Sequence, residues 1–207
     1  MTDSWLNTWN SRYSDPDFAY GTEPNEFLRE RLKGLTVGKA LFAAEGEGRN
    51  AVYAAKRGWE VTAFDISIEG KKKALALAEQ NDVTMKYHVG LLPELPIKDH
   101  DYDLLVLIYS HFPPGIKSTY HKILDSKLRK GGTIIFEAFG KNHLKYRKEN
   151  PKVGGPPDYD SLFSVEELKA DFTHYKIEIL KDEVVTLNEG LYHNGKGSVV
   201  RFVARKE

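Results

Sequence analysis

Short apolar runs alternate with longer amphipathic ones along the first two thirds of the chain. Residues 39–44 (KALFAA) read as a buried strand, and residues 49–56 as the helix that follows it. Residues 59–65 (WEVTAFD) predict a second strand, 69–80 (EGKKKALALAEQ) a second helix and 84–89 a third strand. Residues 103–109 (DLLVLIY) are nearly all apolar, the pattern of a central parallel strand covered on both faces. A helix over 117–128 is broken by Gly131–Gly132 before the strand 133–139 (TIIFEAF). This alternation predicts right-handed βαβ units and a Rossmann-like, doubly wound, mostly parallel sheet. After a helix at 165–171 the period changes. Two strand-like runs, 176–187 and 198–204, are joined by the turn-rich NEGLYHNGKG. They predict a hairpin whose antiparallel strand closes a sheet of about seven strands.

Composition narrows the picture. With 207 residues, 41% hydrophobic and 29% charged, the chain suits one globular domain over 1–207. Thirty basic residues balance thirty acidic ones, so no excess base announces a nucleic-acid or membrane-surface partner. Cysteine is absent, which removes disulfides, thiolate nucleophiles and Cys-based metal sites. The opening MTDSWLNTWN lacks the basic-then-apolar pattern of a secretory signal. No run approaches the roughly 20 apolar residues of a membrane span. A cytoplasmic location is the expectation.

Between the first strand and its helix lies Ala44-Glu45-Gly46-Glu47-Gly48-Arg49-Asn50-Ala51. Glycines there let the backbone turn tightly and a ligand approach the main chain. In an open α/β sheet that loop stands at the carboxyl ends of the strands, where ligands bind. Asp65 ends the second strand, near the roughly 20-residue interval at which a carboxylate after a glycine loop holds ribose hydroxyls. Loop and acid together imply a nucleoside cofactor. A dinucleotide loop would present a third glycine, where Ala51 stands, and a helix N-terminus to a pyrophosphate. Glu45 and Glu47 would repel that pyrophosphate but attract the sulfonium and ammonium of S-adenosylmethionine (SAM). The charge sign favours SAM. The plainer alternatives are that Gly46 and Gly48 only make a turn and that Asp65 caps the next helix. On the same plain view Glu47 is a solvated first-turn acid, and Lys71-Lys72-Lys73 a solvated helix face.

With those residues in hand, the chain resembles the class I SAM-dependent methyltransferases, in the branch related to tellurite-resistance (TehB-type) enzymes. The resemblance rests on residues 9–13 (WNSRY), 18–25 (FAYGTEPN), 44–55 (AEGEGRNAVYAA), 61–67 (VTAFDIS), 154–156 (GGP) and 189–197 (EGLYHNGKG). The broad class I loop, D-x-G-x-G-x-G, is altered: Phe42 stands at the acid and Ala44 at the first glycine, with Glu45 a candidate replacement carboxylate. The resemblance implies that the loop, Glu45 to Asn50, borders SAM and that Asp65 holds the ribose. It further implies Ile66 packed on the adenine, Gly90 and Leu91 at the edge of the base, and Tyr109 to His111 beside the methionine end. Residues 1–36 would form an N-terminal lid or helical segment, with Tyr13 and Tyr20 over the cofactor, where a ring attracts a sulfonium.

Methyl transfer needs alignment of the nucleophile above all, and a neutral acceptor benefits from a general base. His111, directly after the apolar fourth strand, is one candidate; its plain alternative is a bond to a loop carbonyl. His193, in the turn-like string between the last strands, is another, against the alternative of an exposed turn. Glu137 is the third, because a carboxylate among apolar neighbours needs a partner or a function. Arg49 is placed to pair with an acid or an anionic substrate. The chain is therefore read as a methyltransferase acting on a small molecule, a thiol or chalcogen oxyanion among the options, with S-adenosylhomocysteine as product. No metal, nucleic acid or membrane enters this reading, and a monomer or homodimer suits it. The competing readings are a SAM-binding sensor without turnover and an NAD(P)-dependent oxidoreductase. The latter lacks the third glycine and a Tyr-x-x-x-Lys pair.

Overall fold

The structure is a computed structural model and describes residues 2–207, so Met1 of the expected lid lies outside it. Helices α1 (Thr2–Tyr13) and α2 (Glu26–Leu32) precede the strand β1 (Lys39–Ala43). There follow α3 (Arg49–Lys56), β2 (Glu60–Asp65), α4 (Ile68–Gln80), β3 (Lys86–Val89) and β4 (Tyr102–Ile108). Next come α5 (Lys117–Lys127), β5 (Leu128–Phe139), α6 (Leu144–Glu149) and α7 (Val165–Asp171), and the hairpin of β6 (Tyr175–Glu189) and β7 (His193–Lys206) ends the chain. The seven strands form one sheet in the order β3-β2-β1-β4-β5-β7-β6, with β1 to β5 parallel and β7 antiparallel to β5. This is the doubly wound, mostly parallel sheet expected from the alternation, and the class I methyltransferase fold that the resemblance implied.

The period of two along the central strands sorts the core. Leu41, Ala43, Leu105, Leu107, Ile134 and Phe136 face α5 and α7, meeting Tyr120, Leu124 and Leu168. Their neighbours Ala40, Phe42, Leu104, Val106 and Ile135 face the other side, meeting Phe27, Leu28 and Leu32 of α2 and Ala51 and Ala54 of α3. Each fully buried Leu or Phe contributes roughly 1.5–3 kcal/mol of transfer free energy. Phe42 is one of them, 0% exposed, so the position held by an acid in the broad class I loop is here core filling. The parallel sheet reverses direction of winding between β1 and β4, and this switch point opens a crevice at their carboxyl ends.

Three local expectations are corrected. Gly131 and Gly132 do not precede the fifth strand but sit inside β5, where the register with β4 slips between the Tyr102–Leu128 and Leu104–Thr133 pairs. Gly131 has φ +80, and glycine is what such a bulge requires. The string after β6 is mostly strand: Glu189 already pairs with His193, leaving Gly190–Tyr192 as the turn. Lys73 is not a solvated lysine, because its side chain reaches Glu47 at 2.7 Å and lies 5.0 Å over the Phe18 ring.

Candidate cofactor and acceptor site

The loop after β1 is bound down on every side. Glu45 N–H donates to the Phe64 carbonyl (3.0 Å), the Tyr87 hydroxyl donates to the Gly46 carbonyl (2.6 Å), and the Ser110 hydroxyl donates to the Ala43 carbonyl (2.6 Å). Gly46 (φ +62) has no room for a side chain, since an added Cβ would stand 2.5 Å from the Tyr13 hydroxyl. Ala44 also adopts a left-handed backbone, φ +49. That conformation is disfavoured by roughly 1–2 kcal/mol for an L-residue, which gives the physical reason for a glycine at this place in the broad pattern. Tyr109, at the end of β4 across the crevice, is left-handed too, φ +53. Strain of this kind clusters at binding sites.

Glu45 does two things at once. One carboxylate oxygen accepts from the N–H groups of Asn50 (2.9 Å) and Ala51 (2.7 Å), capping α3 where Gly48 offers no side chain. The residue also borders the cavity at the switch point. Burial lifts its pKa from 4.5 to about 8 against those backbone bonds. Asp65, equally enclosed, is lifted by burial to about 6. Its two oxygens accept one backbone N–H each, from Gly46 (3.0 Å) and Ser67 (2.9 Å), and each keeps a lone pair. The cap of α4 is Ser67, which accepts from Gly70 N–H. Asp65 is thus not the helix cap.

A cavity follows, bounded by Glu45, Asn50, Asp65, Ile66, Gly90, Leu91 and Tyr109 and by Tyr20 from the segment after α1, and roofed by Trp5, Trp9 and Tyr13. The roof is the helix α1, tied to α4 by the Ser67 hydroxyl on the Asn10 side-chain carbonyl (2.7 Å). Trp5, Trp9 and Tyr13 recur every fourth residue, so one helix face supplies the rings. Trp9 and Tyr13 stack at 5.5 Å. Buried acids at one end and rings above suit a nucleoside with a cationic tail.

A second, wider cavity shares Trp5, Trp9, Tyr20, Tyr109, His111, Phe112 and His193 with the first. His193 stands between them, ringed by Tyr109 (4.3 Å), Tyr20 (4.5 Å) and Phe139 (5.2 Å). It is buried, not an exposed turn residue. Its Nδ1 lies 3.0 Å from Glu189, whose other neighbours are Arg49 at 2.9 Å and Asn25 at 3.0 Å. Burial alone would raise the Glu189 pKa, but Arg49 and His193 outweigh it and hold the acid at about 2. An ionised Glu189 accepts from Nδ1–H, leaving Nε2 as the proton-accepting nitrogen with no hydrogen bond among the described residues. Burial lowers the His193 pKa, so the ring is neutral at pH 7.

The other two base candidates are placed differently. His111 borders both cavities, yet its Nδ1 donates to the Ser161 carbonyl (2.9 Å) and its Nε2 accepts from Phe139 N–H (3.3 Å). Burial pushes its pKa down to about 3. Neither nitrogen is free to take a proton, so His111 is a wall that ties β4 to β5. Glu137 lies away from both cavities, its carboxylate shared by Asn25 (2.7 Å) and Arg201 (2.5 Å). Glu47 is a buried ion-pair partner of Lys73 that accepts Ala19 N–H (2.9 Å), not a solvated acid. Gly46, Glu47 and Gly48 shape the loop from behind, whereas Arg49 and Asn50 reach the cavity. Sequence reasoning gave no role to Glu189, Arg12 or Arg147, and from the aromatics before β1 it chose Tyr13 and Tyr20 over Trp5 and Trp9. The four-residue spacing of the tryptophans was a usable signal; the two arginines carried none.

Residues 40–132 match the model of a methyltransferase domain family. The matched stretch runs from β1 into the glycine bulge of β5 and carries the glycine loop and Asp65. Solved structures share the methyltransferase fold at low identity. One, from work on conversion of a disulfide bond into a thioacetal group during echinomycin biosynthesis, is 16% identical, with all of this chain and 93% of that one covered and a TM-score of 0.75. TehB from Haemophilus influenzae is 16% identical, with 98% of this chain and 67% of that one covered, at a TM-score of 0.71. A geranyl diphosphate C-methyltransferase from Streptomyces coelicolor, solved with geranyl diphosphate and S-adenosyl-L-homocysteine, is 14% identical over 100% of this chain and 97% of its own, at 0.67. No curated protein matches the chain in sequence. Among the described residues no helix is long and apolar enough to cross a membrane.

Proposed function

We propose that the chain methylates a small-molecule acceptor where its two cavities meet, with His193 taking the acceptor's proton. SAM, when bound, supplies a methyl group on an electrophilic sulfonium, so the protein's share is alignment and exclusion of water. In this reading the spare lone pairs of Asp65 hold the ribose hydroxyls, and Ile66, Gly90 and Leu91 enclose the base. Glu45 and Asn50 face the cationic methionine end. Tyr13 and Tyr20, carried by the segment before β1, close the site. The free Nε2 of His193, oriented through Glu189, is the observation that carries the proposal. It favours an acceptor that arrives protonated, such as a thiol, hydroxyl or amine, over one already ionised. The TehB-type resemblance of the terminal strings adds thiols and chalcogen oxyanions to the acceptors worth testing.

Calorimetry with SAM, S-adenosylhomocysteine and NAD, followed by methyl release over thiols, hydroxyls, amines and selenite, tests the proposal. SAM and its product should bind and NAD should not. NAD binding in their place would restore the oxidoreductase, and SAM binding without any methyl release would leave a sensor. For His193→Ala, kcat should fall about 10²–10⁴-fold with SAM affinity little changed. In the parent enzyme kcat/KM should rise with pH through an acid limb placed below the usual imidazole range, because burial lowers that pKa. A variant with unaltered kcat would remove His193 from the reaction.

A further inference from the structure

We infer that the acceptor is a small organic anion, an apolar body bearing one carboxylate or phosphate, gripped by Arg12 and Arg147 in the wider cavity. The inference rests on the methyltransferase reading of the junction and adds the chemical class of the acceptor. Arg12 lies on α1 and Arg147 on α6, and both border the wider cavity without bordering the cofactor cavity. Each guanidinium is half-buried and held at one nitrogen only. Arg12 donates to the Tyr20 hydroxyl (2.9 Å) and lies over the Tyr192 ring (4.5 Å), while Arg147 Nε donates to the Gly155 carbonyl (3.0 Å). Neither makes an ion pair within 4.0 Å among the described residues, although most other enclosed cations here do. Arg49 is matched by Glu189, Arg201 by Glu137 and Glu183, and Lys73 by Glu47.

A guanidinium pinned at one nitrogen keeps donors in a fixed fork, the arrangement that reads a carboxylate or phosphate. One acid shares the wall: Asp158, exposed, accepts Ser161 N–H at 2.9 Å. His111 and His193 are both held neutral by burial, so the wall carries two positive charges against one. The rest of the wall is largely apolar, with Trp5, Phe112, Pro113 and Pro156 among its residues. Two guanidiniums without acid partners, set in a wall of rings and prolines, specify an amphipathic anion, not a bare inorganic one.

The test uses the full chain saturated with S-adenosylhomocysteine, whose own binding is measured first. Failure at that step would overturn the methyltransferase reading itself. Benzoate and phenyl phosphate are then titrated beside benzamide, benzyl alcohol and selenite. The organic anions should bind at least about tenfold more tightly than the neutral compounds and than selenite, the span of one charge-assisted hydrogen bond. Arg147→Gln and Arg12→Gln should each remove most of that preference, with S-adenosylhomocysteine affinity kept in Arg147→Gln. Neutral compounds binding as well as the anions, selenite binding as tightly as benzoate, or a preference that survives in both variants would each overturn the inference while leaving the cofactor reading intact.

Discussion

At the scale of single residues, the loop carboxylate Glu45 shows how a binding site is held at the expense of the free protein. Both of its hydrogen bonds from α3 end on one oxygen, so Glu45→Gln keeps them and removes only the charge. The folded pKa of about 8 lies above the ordinary 4.5. As pH rises, the unfolded chain therefore releases this proton first, and stability is lost progressively from about pH 4.5 to 8 and stays lost above. Glu45→Gln should accordingly gain more over the parent at pH 9 than at pH 5, by an amount on the order of a few kcal/mol. Thermal unfolding of the ligand-free proteins at both values checks this, and equal gains would show that burial does not strain the acid. If Glu45 faces the cationic end of SAM, the same substitution should weaken SAM binding by about tenfold or more. A more stable and less functional variant is the expected trade.

At the scale of elements, the tip of the β6–β7 hairpin brings chemistry to a site otherwise built from parallel strands. Leu191 N–H donates to the Ala19 carbonyl (2.8 Å), and Gly190 presses on the backbone of Tyr20 and Gly21. A Cβ on Gly190 would lie 2.4 Å from Gly21 N and 2.6 Å from Tyr20 Cα, at φ +58. Neither the backbone angle nor the space admits a side chain. Gly190→Ala should therefore lower stability by roughly 2–4 kcal/mol, from left-handed strain and overpacking together. Urea unfolding measures that loss. The variant should also lose turnover, because Glu189 and His193 flank the turn. A loss below about 0.5 kcal/mol would mean the tip docks loosely and does not position His193.

At the scale of the whole molecule, the sheet and the roof have separable tasks. The two sheet-face cores are filled by strands and by α2, α3, α4, α5 and α7, and α1 adds to them only the partly buried Trp5. Three of its other ties, Asn10 to Ser67, Arg12 to Tyr20 and Tyr13 against Gly46, end on the site or on the loops that frame it. Deleting residues 2–13 should leave one cooperative urea transition with a slightly smaller slope, while SAM affinity falls at least about tenfold. Retained affinity in the truncated protein would mean that the rings of α1 contribute nothing to holding the cofactor.

The sequence by itself determined the parts whose cause is local. Alternation of apolar runs places β1 to β5 and their helices, because a strand buried on both faces must be apolar throughout and an amphipathic helix repeats every 3.6 residues. The glycine loop and Asp65 were legible for the same reason: a left-handed turn and a strand-end acid are fixed by neighbours in the chain. Strand ends were less legible, as the bulge at Gly131 shows, since pairing across β4 sets them. What the tertiary structure alone decided is which polar side chains remain free. His111 and His193 look equivalent as residues. Packing gives the first two backbone partners and the second a single carboxylate, so only one keeps a nitrogen for chemistry. Glu137 was rightly marked as needing a partner, but its partners, Asn25 and Arg201, lie far along the chain and turn it away from the cavities. Arg12 and Arg147 border one cavity for a like reason: the fold brings α1 and α6 to the walls of the same cavity, and no periodicity along the chain encodes that placement.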